Sequence, residues 1–421
     1  MPRLDLLRHL TQCRAMTRAS LWRNGNFRLL FASTTATNMG DGVIAVAVPW
    51  LATLLTHDPL LIGLVAAARQ APWLLFALPA GVLTDRFDHA RVLILADAAR
   101  VGVAMALVAL ALLAPPGTGP ALVLAALAFA MGSAEVVRDN TAQSFLPAVV
   151  PKDRLEDANG LLWSAEQVAG QFAGPPLAGI LIGVAVALPF GLQAAMLAGA
   201  IALITRLRLP PAEKAAPQPF LPALREGLSF LWHHPVLRRM ALALGAFNFT
   251  ASIYWALVVL YAQVVLGMGP AAYGVMLAVA AGGGLAGSLI GPAILRRTGP
   301  KAGLIAGIAG FALAAAVLAF TRSPWAASAA LAVEAFTGLL WNIATVSYRQ
   351  RHIPGPLLGR VNAAYRFFGT GPSAFGSLTG GAIVALGAPL GQVTALQLPY
   401  AVCLAGAVLI LGYIVLWLKM D

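Results

Sequence analysis

Twelve predominantly apolar stretches, each about 20 residues or longer, follow one another along the chain with short polar breaks between them. A run of that length crosses about 30 Å of hydrocarbon as a helix. The pattern predicts helical spans near 27–55, 60–84, 91–113, 119–145, 158–186, 187–206, 240–266, 271–295, 300–320, 325–349, 358–387 and 395–418. The longest break, 207–239, holds Pro210-Pro211 and Pro217-Gln218-Pro219 and reads as a linker followed by a surface helix over 222–232. It divides the chain six and six: an N-terminal arm (1–26), a first six-helix bundle (27–206), the linker (207–239) and a second six-helix bundle (240–421). The predicted class is an all-α integral membrane protein.

The breaks alternate in charge. Those after odd-numbered spans, such as Thr56-His57-Asp58-Pro59 and Pro115-Pro116-Gly117, are nearly free of Lys and Arg; Arg322 is the exception. Those after even-numbered spans carry Arg86 and Arg91, Lys152 and Arg154, a cluster from Arg206 to Arg239, Arg296 to Lys301, and Arg349 to Arg360. The positive-inside rule then places both chain ends in the cytoplasm of a bacterium, with the protein in the inner membrane.

Composition agrees. Hydrophobic residues make up 59% and charged residues 10%, and mean hydropathy is +0.80, whereas soluble chains are about 25% charged. The net charge of +12 sits in alternate loops, so no basic face exists for nucleic acid; the bilayer, through its anionic headgroups, is the expected partner. Cys13 and Cys403 are too few for a disulfide framework, and the six His lie outside the spans, which argues against a metal centre. No cofactor is implied, nor an enzyme, for want of a nucleophile–base set. Residues 1–20 have scattered charges and no apolar leader core, and read as a basic surface helix or a disordered tail.

The two bundles look like repeats. Val150-Pro151 precedes Asn159 as Ile353-Pro354 precedes Asn362, 203 residues on; Gly81, Arg86 and Arg91 are echoed 210 residues on by Gly291, Arg296 and Lys301. Parallel repeats of six helices are a common transporter plan.

Charges inside hydrocarbon are costly and mark candidate chemistry. Asn38 and Asp41 share a face of span 1, with Asp41 near the midplane; Arg69 on span 2 lies at similar depth. Asp41 is the first candidate for a proton-coupling carboxyl, ahead of Glu135 and Glu334, or else half of a structural Asp41–Arg69 pair. Glu135, Arg138 and Asp139 share a face of span 4. With Asp97 and Arg100, placed at the inner end of span 3, they suggest a cytoplasmic charge network. Glu166 lies on span 5, Asn248 and Trp255 on span 7, Glu334 and Trp341 on span 10, and Arg366 on span 11. The tryptophans are candidates for substrate contact or for packing. Gly81, Asp85, Arg86 and Arg91 fall in the tight connection between spans 2 and 3 and suggest a gate latch. Gly170, Gly174, Pro175 and Gly179 give span 5 a close-packing face and a double-proline kink.

The run from Gly81 to Arg91 resembles the loop signature of the major facilitator superfamily. Gly174-Pro175 through Ala178-Gly179 resembles the superfamily's antiporter signature, with Ala178 where a Gly is usual. Together with Asn38 to Asp41 and Asp139 to Gln143, these motifs resemble the drug:proton antiporter branch that includes macrolide and enterobactin exporters. The resemblance implies the major facilitator fold, twelve transmembrane helices in two pseudo-symmetric six-helix bundles, with spans 1, 4, 7 and 10 around a central cavity. It further implies proton-coupled efflux of an amphipathic small molecule by a monomer. A dedicated siderophore or metabolite exporter, or a non-transporting receptor on the same fold, are the alternatives.

Overall fold

The computed structural model describes residues 21–151, 154–207 and 220–417. The N-terminal arm through residue 20 and the Pro-rich part of the linker lie outside the described residues. Helix starts are written into the sequence. Asn24 accepts the Phe27 amide at 3.2 Å to cap span 1 (Gly25–Leu55), and its side-chain amide donates to Val149 O at 2.8 Å, tying that cap to the end of span 4. Asp58 caps span 2 (Pro59–Arg86) and Asp88 caps span 3 (His89–Leu113). Asn and Asp side chains there satisfy amides that a helix leaves orphaned.

Span 4 is Thr118–Val149 and span 6 Leu188–Ile204. A surface helix, Phe220–His233, precedes span 7 (Pro235–Ala256 and Val258–Val264). Spans 8, 9 and 10 are Pro270–Thr298, Pro300–Phe320 and Pro324–His352. Span 11 comprises Gly355–Thr370 and Ser373–Gly387, broken at Gly371-Pro372, and span 12 is Gln392–Trp417. Among the described residues ten helical stretches are long and apolar enough to cross a membrane; the other two spans are the 17-residue span 6 and the interrupted span 5.

Span 5 runs α (Leu155–Ala165), π (Glu166–Ala173), α (Gly174–Val184). Pro175 and Pro176 lack the amides that would bond back one turn, so the ladder above them is free to widen. The widened segment is also where span 5 meets span 1. A Cβ on Gly42 would lie 2.0 Å from Gly170 O, and one on Gly174 would lie 2.7 Å from Gly42 Cα.

The two halves meet at the end opposite the basic loops. A Cβ on Gly179 of span 5 would lie 2.4 Å from Pro270 O of span 8, and one on Gly381 of span 11 would lie 2.5 Å from Pro59 O of span 2. Gln263 donates to Thr53 Oγ at 3.0 Å, joining spans 7 and 1, and Gln70 donates to Ser377 Oγ at 2.9 Å, joining spans 2 and 11. Toward the basic end the halves part around a cavity.

Gly81, Asp85 and Arg86 are helical, in the last turns of span 2, rather than in a connecting loop. Only Phe87 and Asp88 separate spans 2 and 3, and it is Asp88 that caps, accepting the Arg91 amide at 2.9 Å. The side chains of Gly81 to Arg86 lie outside the described residues, as does that of Arg366.

Candidate transport site

The cavity has a volume of about 1250 Å³ and is lined by spans 1, 2, 4 and 5 of one half and spans 7, 8 and 10 of the other. Its wall reaches Leu30, Leu146, Asn159 and Trp163, all near basic-end helix termini, so it opens there. Polar lining is one-sided. Asn38, Asp41, Arg69, Gln70, Glu135, Arg138, Asp139, Glu166 and Gln167 all come from the first half, while the second contributes Trp255, Tyr273 and small apolar residues.

Behind that wall runs a chain of charges. Asp139 meets Arg138 at 3.5 Å, Arg138 meets Asp97 at 3.1 Å, and Asp97 meets Arg100 at 3.4 Å. Arg100 then pairs directly with Asp41, whose carboxylate also accepts from the Gln193 amide at 3.2 Å. Spans 4, 3, 1 and 6 are thus stitched through their middles. Arg100 is wholly buried and Asp97 is 1% exposed.

This corrects the sequence-based expectation in two ways. The cation beside Asp41 is Arg100 of span 3, not Arg69 of span 2. Asp97 and Arg100 are also not at the mouth. Span 3 begins at His89, so Arg100 lies eleven residues inside it, about 17 Å at 1.5 Å per residue. Gln193 had no reading, although it is the lone polar side chain between Pro189 and Ile204. A single amide in an apolar helix was the available signal.

Glu135 stands on the cavity wall without an ion-pair partner within 4 Å among the described residues, with Arg69 and Arg100 as the guanidiniums in its field. In the other half Glu334 sits just behind the wall, within hydrogen-bonding reach of the Trp255 indole. Two expected cavity residues are elsewhere. Trp341 is buried inside the second bundle, stacked on Phe247 at 5.8 Å. Asn248 donates to Gly369 O at 2.8 Å, bonding span 7 to span 11. Both lie on the correct helices but face a neighbouring helix.

Two six-helix bundles around a central polar cavity, open at one end and sealed at the other, define a major facilitator transporter, and such proteins are carriers rather than enzymes. The chain belongs to the family described as transmembrane secretion effectors, which matches residues 16–420. The multidrug efflux pump Tap of Mycobacterium tuberculosis is 32% identical over 52% of this chain and 55% of its own length, so the chain spans about half of that relative. The enterobactin exporter EntS of Salmonella typhi is 25% identical over 87% of this chain and 88% of its own. Among solved structures, the nucleoside transporter NupG superposes with a TM-score of 0.75 at 13% identity, covering 94% of this chain and all of NupG. A bacterial homologue of ferroportin in an inward-facing state gives 0.74 at 15%, covering 94% of this chain and 99% of its own.

Proposed function

We propose that this protein exports cationic or neutral amphiphilic small molecules from a bacterial cytoplasm across the inner membrane, as a monomer with both termini inside, in exchange for protons. The observation that carries this reading is the lopsided charge of the cavity. Asp41, Asp97, Glu135, Asp139 and Glu166 face or back it in the first half against Arg69, Arg100 and Arg138, five acids to three bases. A cation entering such a site is paired, and an anion is not; an unpaired buried charge is strongly disfavoured. Trp255 and Tyr273 supply aromatic faces on the other side, where a lipophilic cation is well received. The relation to Tap favours export and a broad substrate range; the relation to EntS favours export.

Glu135 is the proton carrier in this scheme. Asp41 already has its counter-charge in Arg100 and its hydrogen bond from Gln193. Among the described residues Glu135 has no ion-pair partner within 4 Å, and it lines the open space. A proton moving down the membrane potential supplies about 2.3 kcal/mol per 100 mV. The test is efflux from proteoliposomes of a dye cation, a neutral macrolide and a catecholate. Wild type should export the first two under an imposed pH gradient. Glu135→Gln should lose at least tenfold of that flux while keeping substrate–substrate exchange. Intact pH-driven flux in Glu135→Gln removes the proton role, and export of the catecholate alone removes the charge argument.

A further inference from the structure

A second, wholly apolar groove of about 360 Å³ lies at the seam between the halves, lined by Leu74 of span 2, Phe249 of span 7, and Phe367, Phe368, Gly371, Pro372 and Phe375 of span 11. It shares no lining residue with the transport cavity. On span 11 Ser377 accepts from Gln70 of span 2 at 2.9 Å. Phe368 and Phe375 are spaced by two helical turns on the opposite side. That side continues outward to Leu378 and Leu386, both exposed. In a membrane-spanning chain this is the lipid face, and what fills a groove there is hydrocarbon.

The groove also has a level and a charge. The lower rim lies beside the surface helix that precedes span 7, at the basic end of the bundle. At that rim the half-exposed Trp232 of the surface helix packs on Phe368, with ring centroids 6.0 Å apart. The Arg238 guanidinium lies 5.8 Å from the Trp232 ring centre and donates to Trp232 O at 3.2 Å. Tryptophan and arginine are the residues that settle at headgroup level. From Phe368 to Phe375 the groove climbs seven residues, about 10 Å into the bilayer.

We infer that this groove is a binding site for one anionic phospholipid, an acyl chain lying along Phe368 and Phe375 with the headgroup phosphate on Arg238 beside Trp232. Phospholipid carries both features the site presents, a chain and a fixed anion about one headgroup below it; a free phosphate would have no use for the phenylalanines. The site lies on the span 2–span 11 seam, which must change if the basic end is to close, so its occupancy bears on the conformational equilibrium.

The full-length protein is placed in nanodiscs of phosphatidylcholine containing phosphatidylglycerol, with a benzophenone amino acid at Phe375 or, as a control on the same face, at Leu386. Label at Phe375 should be enriched at least threefold in phosphatidylglycerol over its share of the disc, and label at Leu386 should follow the disc composition. Arg238→Gln and Trp232→Ala, checked for wild-type melting temperature, should abolish the enrichment at Phe375. Glycerol phosphate added at millimolar concentration should not compete. Unselective labelling at Phe375, enrichment that survives Arg238→Gln, or competition by glycerol phosphate would each overturn the assignment. These readouts involve no transport, so they stand apart from the export assay.

Discussion

A fully buried arginine is tolerable only because carboxylates meet it, and Arg100 meets two. Breaking one side of a buried pair leaves an uncompensated charge and costs about 3–5 kcal/mol. Arg100→Leu should therefore lower the melting temperature in detergent sharply, and adding Asp41→Asn to it should restore part of the loss. Asp41→Asn alone should cost less, because Arg100 keeps Asp97. A wild-type melting curve for Arg100→Leu would refute the pairing. The acids themselves were legible: each interrupts an apolar span, and Glu135, Arg138 and Asp139 share a face by helical spacing. The choice of partner was not. Arg69 was the nearest candidate along the chain, but spans 1 and 3 both pack on span 6, which brings Arg100 beside Asp41, while span 2 packs mainly on spans 4 and 11. Sequence order does not encode which helices touch. Trp341 failed for a related reason: helical period shows that residues share a face and leaves open which neighbour the face meets.

Helix contacts here are set by small residues. Gly42 and Gly174 let spans 1 and 5 approach until backbone meets backbone, the arrangement that favours close association in lipid. Gly42→Ala would drive its Cβ into Gly170 O and should cost about 1–3 kcal/mol of overpacking. Folded yield and export should both fall. Gly183→Ala, with nothing within 4 Å of the added carbon, is the control and should stay within about 0.5 kcal/mol of wild type. Equal behaviour of the two would show that the span 1–span 5 contact is looser than described. The motif from Gly170 to Gly179 announced close packing and a kink in the sequence. What it did not announce was that Gly170 and Gly174 serve the first half's interior whereas Gly179 reaches across to span 8, nor that the ladder opens into a π segment. Those outcomes depend on the rotation the prolines introduce, which is a property of the folded helix.

For the whole molecule, the seal at the end away from the basic loops should be the part that must part when the cavity changes sides. Replacing Thr53 and Gln263 by cysteine and joining them with a cleavable bis-thiol reagent should stop export. Cleaving the linker should restore it. Export that continues while the ends are joined would mean that this seal does not open in the cycle. The repeat also shows that one plan has been filled with two chemistries. Asp41, Arg100 and Arg138 join spans 1, 3 and 4 by ion pairs. Phe247, Phe311 and Trp341, from 203 to 211 residues further on, join spans 7, 9 and 10 by ring contacts of 5.1 and 5.8 Å. Away from the ends of the spans ten charged residues remain: eight belong to the first half (Asp41, Arg69, Asp97, Arg100, Glu135, Arg138, Asp139 and Glu166) and two, Glu334 and Arg366, to the second. An electric field does work only on charge that moves. The charge on which a transmembrane voltage can act inside the membrane thus lies mainly in the first bundle.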